Sequence, residues 1–315
     1  MKIKELAKEM FIPEKEHLKR LEMLGRKNTS KTIAQKKQLL KLIVQKFGNK
    51  ELEKFNPREA LKYLLSIGDI RSSSWKNHYL EVFRELYDEY LWKKGYGIFV
   101  PKFPRFTGKQ KKADVFSTEE LNRFFDEKIW KNKSMRLFFL LTATCGLRLG
   151  ETRGLMVKQF NLKKHILIID GFIRYDGMRT DFNKCGSSDN KKNRVVFLTK
   201  NLEKMLKTFF QNKTLNYDDL LFKRNGKPLR QEYCDRFFKK MLEAACIDET
   251  DRKLTPHSLR YTFVTRMRRY VNVDQVRILA GHSSHAMTDY YTKPTIEDML
   301  VKIQGCREAA EKLFV

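Results

Sequence analysis

Residues 254–269 read LTPHSLRYTFVTRMRR, and this stretch predicts the start of a helix with two polar groups on one face. Thr255 is a common N-cap type, and Pro256 suits the first helical position, where the N–H has no helical partner. His257 and Arg260 then lie three positions apart and are neighbours on the helix surface. Because a helix N-terminus attracts anions, an imidazole beside a guanidinium there predicts a phosphate site. A capping histidine with a solvent-facing arginine is the alternative.

A second arginine follows a break in an apolar helix. Residues 144–151 read TCGLRLGE, in which Gly146 ends the helical pattern and Arg148 lies in the turn after it. A turn fixes the position of this arginine, which suits anion binding. A surface ion pair with Glu151, three residues on, is the alternative interpretation.

A third stretch combines a histidine with two tyrosines. Residues 273–293 read VDQVRILAGHSSHAMTDYYTK. Gly281 predicts the end of a short helix, His282 falls at the corner after it, and the next helix carries Tyr290 and Tyr291. Tyr291 is nine residues after His282.

These motifs, in this order and at these spacings, resemble the tyrosine recombinase family, which includes phage integrases, Xer recombinases and transposon integrases. The matching elements are Arg148 in G-L-R-x-x-E, His257 and Arg260 in H-S-L-R, and the tyrosine that follows G-H-S-S. The resemblance covers residues 114–293 by motif and the helical region before them by architecture.

The resemblance implies that Tyr291 is the nucleophile, which forms a 3′-phosphotyrosine link with DNA and frees a 5′-hydroxyl. Tyr290 is predicted to be a packing residue, because 100° of helical rotation per residue prevents adjacent tyrosines from sharing one site. The covalent link conserves the bond energy, so the chemistry needs neither ATP nor a metal ion. The sequence has no Walker loop and no carboxylate cluster for Mg²⁺, and we predict no cofactor.

The resemblance also assigns the groups around the phosphate. Arg148 and Arg260 would bind the non-bridging oxygens, with Glu151 in a supporting role, because guanidinium groups stay charged and bind bidentately. His282 would donate a further hydrogen bond, and His257 would manage the proton of the nucleophile.

The family takes its leaving-group acid from a lysine in a turn between two strands, shortly before an arginine. Here residues 181–193 read DFNKCGSSDNKKN, a turn longer than the family pattern. Lys184 is favoured because it follows the first strand, as the family lysine does. Lys191 and Lys192 are the alternative general acids.

The charge balance indicates the class of partner. Lys and Arg number 65 against 38 Asp and Glu, a net charge of +27, and such an excess indicates a polyanion such as double-stranded DNA. No apolar run of about 18 residues and no signal peptide are found, so we expect no membrane association and a cytoplasmic, nucleoid-associated protein. The five cysteines form no C-x-x-C pair and predict no disulfide framework.

The sequence predicts a mainly α fold with a small antiparallel β-sheet. Helical periods at 29–48, 56–68 and 72–95 indicate a bundle, after which prolines, glycines and lysines interrupt the pattern. By resemblance, the bundle is a SAM-like core-binding domain and the remainder an α+β catalytic domain. The predicted divisions are an N-terminal helical extension at 1–25, the core-binding domain at 26–100, a linker at 101–116, and the catalytic domain with its tail helix at 117–315.

The predicted function is site-specific DNA recombination, in integration, excision or transposition of a mobile element. The alternatives are a type IB topoisomerase-like strand transferase and a non-catalytic architectural DNA-binding protein of the same fold. We expect a monomer in free solution, because like-charged chains repel, and a homo-tetramer on paired DNA sites. Residues 296–315 carry an apolar stripe that would dock on a neighbouring protomer or fold back on its own domain.

Overall fold

The computed structural model describes residues 1–25, 28–95, 99–108, 114–182 and 193–282. The chain divides into two compact units, Met1–Gln110 and Lys111–Val315. The fold is mainly α-helical with a small antiparallel sheet, so the predicted fold class is confirmed. Among the described helices, none is long and apolar enough to cross a membrane.

The first unit is a helical bundle with an aromatic core. Its described helices are α1 (Ile3–Ala7), α2 (Glu16–Met23), α3 (Ser30–Phe47), α4 (Pro57–Ser66) and α5 (Ser73–Lys94). In the core, the rings of Phe55 and Phe83 stack with centroids 5.2 Å apart, and the edge of Phe47 contacts both.

The first residues of the chain belong to this same core. Ile3, Leu6, Met10 and Phe11 are buried among the residues of α3 and α5. The start of the predicted extension at 1–25 therefore contributes side chains to the core of the bundle. The five residues of α1 are too few to show a helical period, so their apolar face could not be recognised.

The second unit combines helices with a three-stranded sheet. Its described elements are α6 (Thr118–Phe124), α7 (Lys133–Thr144), α8 (Leu149–Arg153), β1 (Phe160–Asn161), β2 (Ile166–Ile169), β3 (Arg194–Phe197), α9 (Lys200–Gln211), β4 (Lys223–Arg224), β5 (Lys227–Pro228), α10 (Gln231–Ala244), α11 (Pro256–Met267) and α12 (Val273–Ala280). Strands β1, β2 and β3 pair antiparallel in that order, with Ile166 opposite Phe197.

Strand β2 is shorter than the run of apolar residues predicts. It ends at Ile169, although the run HILIIDGFIRYDG at 165–177, by its composition, favours a strand over its whole length. Beyond it the chain makes a tight turn, in which Gly177 has φ +84° and the Arg174 N–H donates to the Met178 carbonyl at 2.8 Å. The left-handed glycine closes this turn, and Ile173 pairs with Arg179 across it rather than with β3.

The helix boundaries that position the site agree with the sequence patterns. Thr255 is the N-cap of α11 and Pro256 is its first residue, as predicted. Helices α7 and α12 both end at left-handed glycines, Gly146 with φ +59° and Gly281 with φ +64°. Helix α7 packs against α11, and α12 follows α11 in the chain and also contacts it. The C-terminal ends of α7 and α12 therefore converge beside the first turns of α11.

Candidate active site

Arg260 joins the ends of two helices. Its side chain is fully buried, and it donates one hydrogen bond to the Gly146 carbonyl after α7 and another to the Ala280 carbonyl of α12 at 2.6 Å. Both carbonyls lie at helix C-termini, where the last carbonyls lack helical partners and the helix dipole is negative. A buried guanidinium therefore satisfies groups that would otherwise be left without partners.

Arg148 reaches the same place from a different element. It is the N-cap residue of α8, and its Nη2 donates to the Gly281 carbonyl at 2.8 Å. Its Nη1 donates to Oε1 of Glu151, also at 2.8 Å. The i+3 ion pair that the sequence allowed is present, but the Glu151 carboxylate is buried, so the pair is part of the interior rather than of the surface.

Arg194 is a third buried arginine, and it was not among the predicted site residues. It is the first residue of β3, its Nη2 donates to Oε2 of Glu151, and its Nη1 donates to the Leu279 carbonyl at 2.7 Å. Burial alternates along β3, so Arg194 shares the inward face with Val196. This alternation, and the arginine that the family places after its lysine turn, were the available signals.

Three consecutive carbonyls at the end of α12 thus each accept from a different arginine. Leu279 is bound by Arg194, Ala280 by Arg260 and Gly281 by Arg148. We call the three guanidinium groups, together with Glu151, the arginine cluster.

Glu151 is the anion within the arginine cluster. Burial on its own would raise the pKa of the Glu151 carboxyl, but the positive charges of Arg194, Arg148 and Arg260 hold that pKa below its ordinary value. The backbone N–H of Arg148 also donates to the carboxylate, at 2.8 Å. Glu151 is therefore ionised at neutral pH, and its charge offsets one of three positive charges. The cluster keeps an excess of positive charge at the end of α12.

His282 is the next residue after Gly281, whose carbonyl accepts from Arg148 of the arginine cluster. Its N–H donates to the Arg277 carbonyl at 3.0 Å, which closes α12, and its side chain is buried. Burial, followed by the charges of Arg260, Arg148 and Arg194 and of His257, lowers the pKa of His282 to about 3. The imidazole is therefore neutral at pH 7.

His257 lies in the first turn of α11 and is partly exposed. Its ring contacts the edge of Tyr261, with centroids 4.6 Å apart. It also borders a cavity of about 540 Å³ between α10 and the start of α11, which Asp235 and Lys239 help to line. His257 is close enough to contribute to the lowered pKa of His282.

The other predicted site residues lie outside the described residues. They are Lys184, Lys191, Lys192 and Tyr291; the predicted packing residue Tyr290 also lies there. The structure therefore brings together Arg148, Glu151, Arg260 and His282, with His257 nearby.

A model of the phage integrase family matches residues 114–297, which is more than half of the chain. The chain belongs to the phage integrase family. The match spans the elements that carry the arginine cluster and both histidines.

Curated relatives of this phage integrase family member are named tyrosine recombinases. It is 25% identical to tyrosine recombinase XerA of Thermococcus onnurineus over 264 residues, which are 81% of each chain. It is 28% identical to XerA of Pyrococcus furiosus over 204 residues, 63% of this chain and 62% of that one. The chain is thus a tyrosine-type site-specific DNA recombinase, and the predicted enzyme class is confirmed; the topoisomerase-like and architectural alternatives are not favoured.

Solved structures share the fold of this phage integrase family member. The Tn1549 transposon integrase in complex with transposon right end DNA has a TM-score of 0.74 at 16% identity. The match covers 98% of this chain and 100% of that chain. A lambda integrase tetramer bound to a Holliday junction has a TM-score of 0.67 at 15% identity, covering 88% of this chain and 76% of that one. At these identities the likeness concerns the fold.

Proposed function

We propose that this recombinase cleaves and rejoins double-stranded DNA through a 3′-phosphotyrosine intermediate, with Tyr291 as the nucleophile. The observation that supports it best is the end of α12, where Arg148 and Arg260 bind adjacent carbonyls beside His282. Motifs far apart in the sequence meet there, and they leave an excess of positive charge. A phosphodiester is the anion that such a site would bind in a DNA strand-transfer enzyme.

In the proposed reaction the phenolic oxygen of Tyr291 attacks the scissile phosphorus. The bond between phosphorus and the 5′-oxygen breaks, and that oxygen takes a proton from Lys184, or from Lys191 or Lys192. His257 accepts the phenol proton. In the second step a 5′-hydroxyl attacks the phosphotyrosine and releases the tyrosine. In each step one phosphoester bond forms and one breaks.

The arginine cluster supplies electrostatic stabilisation in this proposal. Arg148 and Arg260 would bind the non-bridging oxygens, whose negative charge increases in the transition state. A neutral His282 would donate its N–H to one of these oxygens. The buried carbonyl contacts hold both guanidiniums in place before substrate binds, which reduces the reorganisation that the reaction requires.

The proposal extends to partners and assembly. The net charge of +27 favours a DNA partner, and a lambda integrase of the same fold is described as a tetramer bound to a Holliday junction. We propose a monomer in free solution and a homo-tetramer on paired sites, encoded by a mobile element and acting at the nucleoid. The predicted divisions at 1–25, 26–100, 101–116 and 117–315 are part of this proposal.

The test is a nicked DNA substrate, from which the 5′-hydroxyl fragment is lost so that the covalent intermediate accumulates. Tyr291→Phe should abolish this intermediate and leave DNA affinity nearly unchanged, because it removes one hydroxyl and no positive charge. Tyr290→Phe is the matched control and should form the intermediate. Denaturing gels that resolve the protein–DNA adduct, with peptide mapping of the linked tyrosine, measure both. An adduct on Tyr290 would overturn the assignment, and no adduct with the unaltered protein would overturn the reaction.

A further inference from the structure

Arg194 connects three elements of the second unit. Its backbone begins β3, directly after the lysine-rich turn in the sequence, and pairs with Ile169 of β2. Its two terminal nitrogens bind different partners, the Glu151 carboxylate in α8 and the Leu279 carbonyl in α12. A side chain with only 6% of its surface exposed is placed to hold these elements together rather than to meet DNA directly.

Both partners of Arg194 are next to groups assigned to the phosphate. The second oxygen of Glu151 accepts from Arg148, so Arg148 and Arg194 hold one carboxylate from two sides. Leu279 lies two residues before Gly281, whose carbonyl accepts from Arg148. A Cβ added at Gly281 would lie 3.0 Å from Cδ of Arg194, so the backbone before His282 rests on the stem of this arginine.

The charges give the arrangement a second consequence. If the buried Glu151 carboxylate were paired with Arg148 alone, its negative charge would neutralise the positive charge of Arg148. Arg194 supplies the opposing charge that Glu151 requires, and the charge of Arg148 remains available for an incoming anion.

We propose that Arg194 is a positioning residue for the reaction. It fixes Glu151 and the end of α12, and through them it orients Arg148 and His282 towards the scissile phosphate. This inference rests on the proposed function. Lysine cannot replace arginine in the role, because one ammonium group lacks the planar fork that reaches two separate acceptors.

The test compares Arg194→Lys with Arg153→Lys. Arg153 is an equally buried arginine of α8. Its Nε donates to the Leu229 carbonyl at a distance of 2.6 Å, and this contact is not part of the arginine cluster. Both substitutions keep the charge and disturb a buried carbonyl contact. The single-turnover cleavage rate should fall by about 100-fold in Arg194→Lys, the size expected for a small displacement of reacting groups, while DNA affinity stays close to that of the parent. Arg153→Lys should cleave at the parental rate. Calorimetry shows what fraction of each variant is folded, and the rates are compared for the folded fraction.

A coupling measurement keeps the inference testable if Arg194→Lys is also less stable. In the background of Glu151→Gln, the additional loss of rate caused by Arg194→Lys should be smaller than in the parent, because the two residues act through one contact. Parental cleavage by Arg194→Lys, or equal rate losses in both backgrounds, would overturn the inference.

A 5′-thio leaving group separates this role from the general acid. Sulfur leaves without a proton, so a defect in placing the lysine would be rescued by this substrate. The rate of Arg194→Lys should stay low on it, and full rescue would overturn the inference. The proposed function fails separately, when the parent forms no adduct through Tyr291.

Discussion

At the scale of single residues, the arginine cluster changes the protonation of the groups it surrounds. Glu151 keeps its charge in the interior because three guanidinium groups oppose the cost of burial, whereas His282, in the same field, loses its proton. Both pKa values are lowered: the positive charges oppose the cost of burying the carboxylate, whereas burial and the same charges act together on the imidazole. A bound phosphate would add the negative charge that this interior lacks.

The lowered pKa of His282 predicts how stability depends on pH. The unfolded chain takes up a proton at this residue near pH 6.5, while the folded chain does so only near its lowered pKa of about 3. The unfolded state therefore binds more protons between these values, and stability falls as the pH falls. The window from pH 7 to pH 5 separates His282 from Glu151, because Glu151, with a pKa below 4.5, stays ionised there in the folded protein and largely ionised in the unfolded chain.

His282→Asn should therefore weaken the acid destabilisation of the second unit. Between pH 7 and pH 5 its melting temperature should decrease less than that of the parent, as followed by calorimetry without DNA. Equal slopes in His282→Asn and the parent would contradict the neutral, buried imidazole.

The general acid is also a question of single residues. Lys184→Ala should slow cleavage of ordinary nicked DNA strongly, because the leaving 5′-oxygen then departs without a proton. A 5′-thio substrate should restore most of the rate. The same pair of substrates applied to Lys191→Ala and Lys192→Ala compares the three lysines, and rescue confined to one of those two would move the role there.

The sequence predicted some residues of the site and missed another, for a physical reason. Arg148 and Arg260 were found because turns and helix starts mark their positions locally. Arg194 was missed because an arginine in a strand is ordinarily solvent-facing, and burying one is costly unless a carboxylate opposes it. That carboxylate, Glu151, is 43 residues away, and only the folded chain brings the two together.

At the scale of elements, two helices end in the same way and thereby build the site. Gly146 after α7 and Gly281 after α12 both adopt left-handed backbone, and in each case the next N–H bonds back into the helix. Ends of this kind leave terminal carbonyls pointing outward. Those carbonyls are the acceptors that the arginines use.

Alanine should destabilise the protein more at Gly146, which follows α7, than at Gly177. Gly146→Ala forces a left-handed alanine, at about 1–2 kcal/mol, and places its Cβ 2.3 Å from the Phe263 ring, which adds an overpacking cost of about 1–3 kcal/mol. Gly177→Ala is the control, because Gly177 also has positive φ but has open space around it. Denaturant unfolding should show the larger loss for Gly146→Ala. Equal losses would mean that Phe263 moves aside at no cost.

Elements were predictable where local chemistry is strong. Ser117 accepts from the N–H of Glu120, and the Glu120 carboxylate accepts from the N–H of Ser117, which is the capping box typical of a serine followed three residues later by a glutamate. The packing of α1 and the early end of β2 were not predictable in this way. Five residues give no period, and an apolar run does not reveal that pairing with the neighbouring strand stops at Ile169.

At the scale of the whole molecule, the net charge of +27 sets the conditions for assembly. Copies of such a chain repel one another in free solution, and DNA supplies the charge that allows them to approach. Assembly on DNA also needs a contact between protomers that survives once the repulsion is removed. The predicted tail at 296–315, which lies outside the described residues, is the proposed source of that contact.

Deleting residues 296–315 should therefore separate binding from assembly. The apolar stripe of this segment consists of Ile296, Leu300, Ile303 and Leu313, with Met299 and Val301 nearby. An apolar helix face is stable in water only when something covers it. If a neighbouring protomer covers it, the shortened chain should bind one site with parental affinity but lose cooperative binding to paired sites and recombination. Gel shifts on single and paired sites, with a recombination assay, measure all three. A matched variant with Lys302→Ala, which leaves the apolar positions intact, should behave as the parent. Efficient recombination by the shortened chain would show that the contact lies elsewhere, and weaker binding to a single site would show that the tail folds back on its own domain.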